Sequence, residues 1–172
     1  MIITITGWPG TNTRNVCKIL ALQLGLKYLT EEKIKEDVAK EHNILVEELD
    51  FKLGKEAFIN AVNGIFRKQG SENVITDYAL ASWLVNDAAL KVFLESKENN
   101  RVKKMVVSRE MPLIVAKQMI KNEEDERKKK YLYEYGINIF DMQNFDIVLN
   151  TDKLNEDGII ALIKKYLEKM KK

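Results

Sequence analysis

The chain has 172 residues, enough for one domain to bury a core without disulfide or metal staples. Its 28 basic residues nearly cancel 26 acidic ones, and a net charge of +2 excludes the global basic bias of many nucleic-acid binders, so nucleic acid is not an expected partner. One cysteine and one histidine leave neither a disulfide framework nor a His/Cys zinc set, and no apolar run approaches a membrane span of roughly 18 residues, so a soluble cytoplasmic protein is expected.

Residues 2–6, "IITIT", form a β-branched run suited to a strand buried on both faces of a parallel sheet. Residues 12–24 carry Val16, Ile19, Leu20 and Leu24 at helical spacing, with Gly25 to stop the helix. "KYL" at 27–29 reads as a second strand. Thr30 then caps a helix with Glu31 and Glu32 in its first turn, where the helix dipole favours acids. His42 is expected to be exposed at its end. Residues 45–54 and 55–70 read as two more helices, ending near Gly54 and Gly70. "NVITD" is a strand that delivers Asp77 at its C-terminal end, and "ALKVFLE" is the next. Residues 99–110 and 112–136 are helical, the latter with Pro112 in the first helical position. "FDIVLNT" is the last strand, and residues 155–172 form a closing amphipathic helix. Strands alternating with helices predict a parallel α/β sheet with helices on both faces, in one domain spanning 1–172.

The stretch "GWPGTNTRN" sits between the first strand and the first helix, the position from which backbone N–H groups and a helix N-terminus face an anion. The full phosphate-loop signature is G-x-x-x-x-G-K-[ST]. Gly7 keeps the first anchor, while Asn12, Thr13 and Arg14 stand where the second Gly, the Lys and the magnesium-binding hydroxyl belong. Asn tolerates the left-handed conformation that the second glycine supplies, and a guanidinium at position 14 can itself bind phosphate in two-pronged fashion. An ordinary strand–helix turn fits this stretch equally well. In "EEDERKKK" each acid meets a base four residues on, from Glu123–Arg127 to Glu126–Lys130, which predicts a solvated, self-paired helix face. Cys17 reads as a small core residue. Tyr131, Tyr133 and Tyr135 cannot all face one way on a helix.

From end to end the chain resembles the archaeal type of cytidylate (CMP) kinase, a branch of the nucleoside monophosphate kinases. "ITITGWPGTNT" is similar to that group's G-x-P-G-[ST]-G-T-[ST] loop, in which Thr commonly replaces the Lys. "KIKEDVAKEHNI" resembles its acceptor helix, with Lys35 in place of a phosphate-gripping Arg. "NVITDYALASWLV" resembles N-V-V-x-E-G-R-L-A-G-W-[ML]-[AV], keeping the acidic residue as Asp77 and also Leu80, Ala81 and Trp83, but putting Tyr78 and Ala79 where Gly and Arg belong. "KNEEDERKKKYLYEYGINI" is similar to its lid helix, without the leading Arg at Asn122 or Glu123. "FDIVLNTDKLNEDGI" matches its last strand and helix start.

The resemblance implies a phosphate-loop NTPase-like, three-layer α/β fold. Its five-stranded parallel sheet would be flanked by helices, with a monophosphate-binding helical insertion at 30–70 and a short lid at about 110–136. It implies transfer of the ATP γ-phosphoryl to CMP, dCMP or a related monophosphate, with ATP and Mg²⁺ as cofactors. The residues it points to are Arg14, Asp77, Arg101 and Arg127 for catalysis. Gly7, Gly10, Thr11, Asn12, Thr13 and Arg14 would hold the donor, and Lys35, Asp77 and Trp83 the acceptor. Arg109 is a further cationic candidate. The departures leave a second reading beside the kinase: a paralogue that keeps the fold to bind a nucleotide, an anion or a protein partner without turnover.

Overall fold

The computed structural model describes residues 1–68 and 73–170. Strands β1 (Ile2–Gly7), β2 (Lys27–Leu29), β3 (Val74–Thr76), β4 (Leu90–Glu95) and β5 (Ile147–Asn150) form one all-parallel sheet in the order β2-β3-β1-β4-β5. The β-branched β1 takes the centre, pairing Ile2 with Val74 on one side and Ile5 with Val92 on the other. Every residue of β1 is buried, the threonines as well as the isoleucines, as suits a strand covered on both faces. Its threonines are tolerated because the hydroxyls find partners; the Ser82 hydroxyl donates to Thr4 Oγ1 at 3.0 Å.

Helices α1 (Thr13–Leu24), α2 (Glu31–Glu41), α3 (Leu49–Lys52), α4 (Lys55–Lys68), α5 (Ala81–Leu84), α6 (Glu98–Arg109), α7 (Leu113–Tyr135) and α8 (Glu156–Met170) cover both faces. On one face Val16 and Leu20 of α1 and Ile159 and Ile163 of α8 pack on Ile3 and Ile5. On the other, Ile34, Val38, Val62 and Phe66 of α2 and α4 meet Ile2, Val74 and Phe93. Each such side chain contributes about 1.5–3 kcal/mol by leaving water. Thr30 caps α2 as its sequence position predicts, accepting from the Lys33 N–H at 3.1 Å, and His42 is exposed at the C-cap.

Three local expectations change. Residues 45–54 do not make one helix: a 3₁₀ turn at Val46–Glu48 precedes the four-residue α3, and extended Leu53 ends it. Pro112 is the N-cap of α7, with ψ 144°, rather than its first helical residue. The short α5 was not signalled by any periodicity because it is barely one turn long. The helix end expected near Gly70 and the chain's last two lysines lie outside the described residues.

Candidate nucleotide site

The turn from β1 into α1 is held by its own backbone. Trp8 N–H donates to the Leu94 carbonyl at 3.2 Å, and both the Thr11 N–H and the Thr11 hydroxyl donate to the Trp8 carbonyl, at 3.1 and 2.7 Å. Gly7 is required here, because a Cβ would lie 2.5 Å from the Leu94 carbonyl oxygen. Gly10 (φ 86°) and Asn12 (φ 63°, ψ 32°) are both left-handed. The side-chain amide of Asn12 donates to Glu156 at the start of α8. The Asn15 amide donates to the other Glu156 oxygen. Asn12 therefore supplies the left-handed turn, and with Glu156 it forms part of the cleft wall. The amides of Gly10, Asn12, Thr13 and Arg14 have no backbone acceptor among the described residues, which is the donor set a phosphate uses at a helix N-terminus.

Behind the loop lies Arg101, in the first turn of α6 and 4% exposed. Its Nε donates to the Ser96 carbonyl at 3.0 Å and its Nη1 to the Pro9 carbonyl at 3.0 Å and to Glu124 of α7. The guanidinium also lies 5.5 Å from the Trp8 ring, whose face stacks on Phe140 at 4.1 Å. Lys128 of α7 sits 5.2 Å from the same Trp8 ring. So of the four predicted pairs along α7, Glu124 and Lys128 face the loop instead of each other, while Glu123–Arg127 forms as expected at 2.6 Å. Tyr131 is buried and Tyr133 is 93% exposed, so the tyrosines do divide between faces.

At the end of β3, Asp77 Oδ2 accepts from Arg14 Nε at 3.3 Å, and Arg14 Nη2 donates to Glu32 of α2 at 2.7 Å. Hydrogen bonding from Arg14 lowers the Glu32 carboxyl to about 2, and the same bond raises Arg14 above its already high value. Asp77 Oδ1 and the Tyr28 hydroxyl are buried without hydrogen-bond partners among the described residues. Burial, and then the nearby Asp77 carboxylate, raise Tyr28 well above the usual phenol range.

These elements surround a cleft of about 1170 Å³ at the C-terminal ends of the strands, where ligands of open α/β sheets bind. The cleft brings together Gly7, Gly10 to Arg14, Asp77, Arg109 and Arg127, with Lys103, Lys104 and Lys153 adding positive charge. Three sequence-predicted residues lie off its wall. Arg101 is sealed beneath the loop as a support. Lys35 pairs with Glu31 at 2.6 Å, and Trp83 packs edge-on to Phe145. Trp8, Glu32 and Glu156 carried no signal in the sequence: the loop pattern asks nothing of position 8, and the other two act across 18 and 144 residues. Ala79, where the resembling family has an Arg, is 4% exposed and part of the core, beside Tyr78 at 1%.

The donor set does not fit Mg²⁺. Position 14 has no hydroxyl, Asp77 Oδ1 is shut off from solvent, and Oδ2 already holds a guanidinium. An ion at Oδ2 would meet a like charge at hydrogen-bonding distance.

Sheet order, loop and cleft define a phosphate-loop kinase fold. A crystal structure of an uncharacterized protein from Eubacterium ventriosum superposes with a TM-score of 0.76 at 20% identity, covering 98% of each chain. Shikimate kinase from Bacteroides thetaiotaomicron superposes at 0.59 with 15% identity, again covering 98% of each. In sequence, residues 70–153 match the Cytidylate kinase-like family. The cytidylate kinase of Sulfurisphaera tokodaii is 32% identical, covering 99% of this chain and 97% of its own. That of Thermococcus kodakarensis is 30% identical, covering 98% and 88%. The chain belongs to the cytidylate kinase family.

Proposed function

We propose that the protein is a cytoplasmic nucleoside monophosphate kinase, moving the γ-phosphoryl of ATP to CMP, dCMP or a related monophosphate. The observation that carries this reading is the β1–α1 turn. Two left-handed residues leave its amides open to the cleft, and the Asn12 side chain donates to Glu156. In this reading the turn holds the donor phosphates, and Arg14, Arg109 and Arg127 neutralise charge on the transferred group. Asp77 holds Arg14 in place. Phosphoryl transfer asks chiefly for such positioning and charge neutralisation. Arg101 acts by fixing the loop, and the space toward α2 takes the acceptor.

The test is ADP release from ATP in the presence of CMP, dCMP, AMP or UMP. Turnover of about 1–100 s⁻¹ with a cytidine acceptor is expected. Nucleotide binding without turnover would favour the second reading, a binding paralogue. The observation behind that reading is the buried Ala79, which puts no cation at the acceptor end of β3.

A further inference from the structure

We infer that the Arg14 guanidinium occupies the place of the divalent cation, so that this cleft takes the polyphosphate of a nucleotide in its metal-free form. The inference rests on the nucleotide-site reading above and concerns how that site meets charge.

Three observations carry it. Arg14 is the second residue of α1, so its side chain rises beside the open amides of the loop, and it is 53% exposed to the cleft. Its Nε donates to Asp77 Oδ2 at 3.3 Å while Oδ1 is buried, so a metal or its water at that carboxylate would have to share Oδ2 with a guanidinium. A guanidinium has five N–H donors in a rigid fork. Nε serves Asp77 and Nη2 serves Glu32, and Nη1 has no hydrogen-bond partner among the described residues, which leaves that edge to receive phosphate.

Glu32 gives the site its exchange. It is 61% exposed on α2 and holds Arg14 by a single contact. An incoming phosphate oxygen can displace it at Nη2 while Asp77 keeps the side chain aimed. A doubly charged ion brought in with the phosphates would meet the guanidinium at close range, so its usual gain in affinity is lost. Lys103, Arg109 and Lys153 on the cleft wall add countercharge, set against Glu31, Glu123, Asp152 and Glu156 on the same wall.

The experiment is calorimetric titration of the full chain with ATP, once in excess EDTA and once in excess Mg²⁺. Trp8 fluorescence, read in a Trp83→Phe background, gives a second readout. The wild type is expected to bind in EDTA at least as tightly as in Mg²⁺, within about threefold. Arg14→Ser should lose about tenfold or more in EDTA and recover part of it when Mg²⁺ is added. Arg14→Lys, which keeps charge but not the fork, should fall between them. Glu32→Gln should tighten binding in EDTA by removing the competing carboxylate. Because Arg14 and Glu32 lie on the surface, circular dichroism of each variant should match the wild type. Wild-type affinity that rises about tenfold or more with Mg²⁺ overturns the inference and leaves the nucleotide site standing. So does unchanged binding by Arg14→Ser in EDTA. Absence of ATP binding in both buffers overturns the nucleotide site and this inference together.

Discussion

Arg101→Met tests how the loop is held. The guanidinium donates to the Ser96 and Pro9 carbonyls and to Glu124, with side-chain exposures of 5% for Arg101 and 15% for Glu124. Methionine keeps the volume of the stem but leaves Glu124 as a nearly buried charge without its cation. Breaking one partner of such a pair costs about 3–5 kcal/mol. A domain of this length loses about 2–4 °C of melting temperature per kcal/mol, so a fall of roughly 6–20 °C is expected. Urea unfolding followed by circular dichroism measures it through the midpoint at constant slope. The double variant Arg101→Met/Glu124→Leu removes the stranded charge and should recover the part of the loss owed to it, the remainder being the two carbonyls left unpaired. If Arg101→Met shifts stability by less than about 0.5 kcal/mol, the range of ordinary surface changes, the ion pair does not hold the loop. A double variant no better than the single one would place the cost in the carbonyls alone.

At Asn12 the left-handed backbone predicts that Asn12→Ala costs about 1–2 kcal/mol while Asn12→Gly stays within about 0.5, read from urea midpoints; equal values would refute the conformational argument. The Glu32 carboxyl lies at about 2 in the folded protein, against about 4.3 in an unfolded chain. Its pairing with Arg14 is therefore fully present above about pH 4.3 and is lost as pH falls toward 2. With both side chains more than half exposed, screening limits the contribution to about 0–1 kcal/mol. A carboxyl NMR titration should find Glu32 near 2 and see it rise in Arg14→Met, where the backbone and Thr30 hydrogen bonds that also lower it are kept. Cys17 has no exposed surface, and burial raises its thiol well above the usual range. It should therefore react with a disulfide reagent only at the rate of unfolding, and a burst of labelling in native buffer would contradict its core position.

The central strands β1 and β3 were legible as short β-branched runs between turn residues, and α1, α2 and α8 because their apolar residues recur at helical spacing. The left-handed Asn12 was legible from side-chain chemistry alone. What the sequence concealed was pairing across the fold. In "EEDERKKK" the spacing offered Glu124 a lysine one turn away, yet the packing of α7 on the loop gave it Arg101 instead, 23 residues back. A local rule counts neighbours along a helix and is blind to a cation buried beneath it. Arg14 was legible as a phosphate-binding guanidinium where the metal anchor belongs, but its two carboxylate partners, Asp77 and Glu32, were not. Trp8 shows the same limit. Nothing in the loop pattern marks it, and it earns its position only against Phe140 and Lys128.

The place of β1 in the sheet has a consequence for biosynthesis. This strand lies nearest the N-terminus, yet both of its partners come from much later in the chain, at Val74–Thr76 and Leu90–Glu95. At about 5–20 residues per second, translation leaves its two hydrogen-bonding edges without native partners for roughly 4–20 s. During that time the nascent chain exposes "IITIT", an uncharged β-branched segment of the kind that self-associates. The segment therefore gains both of its sheet partners only once Glu95 has been made.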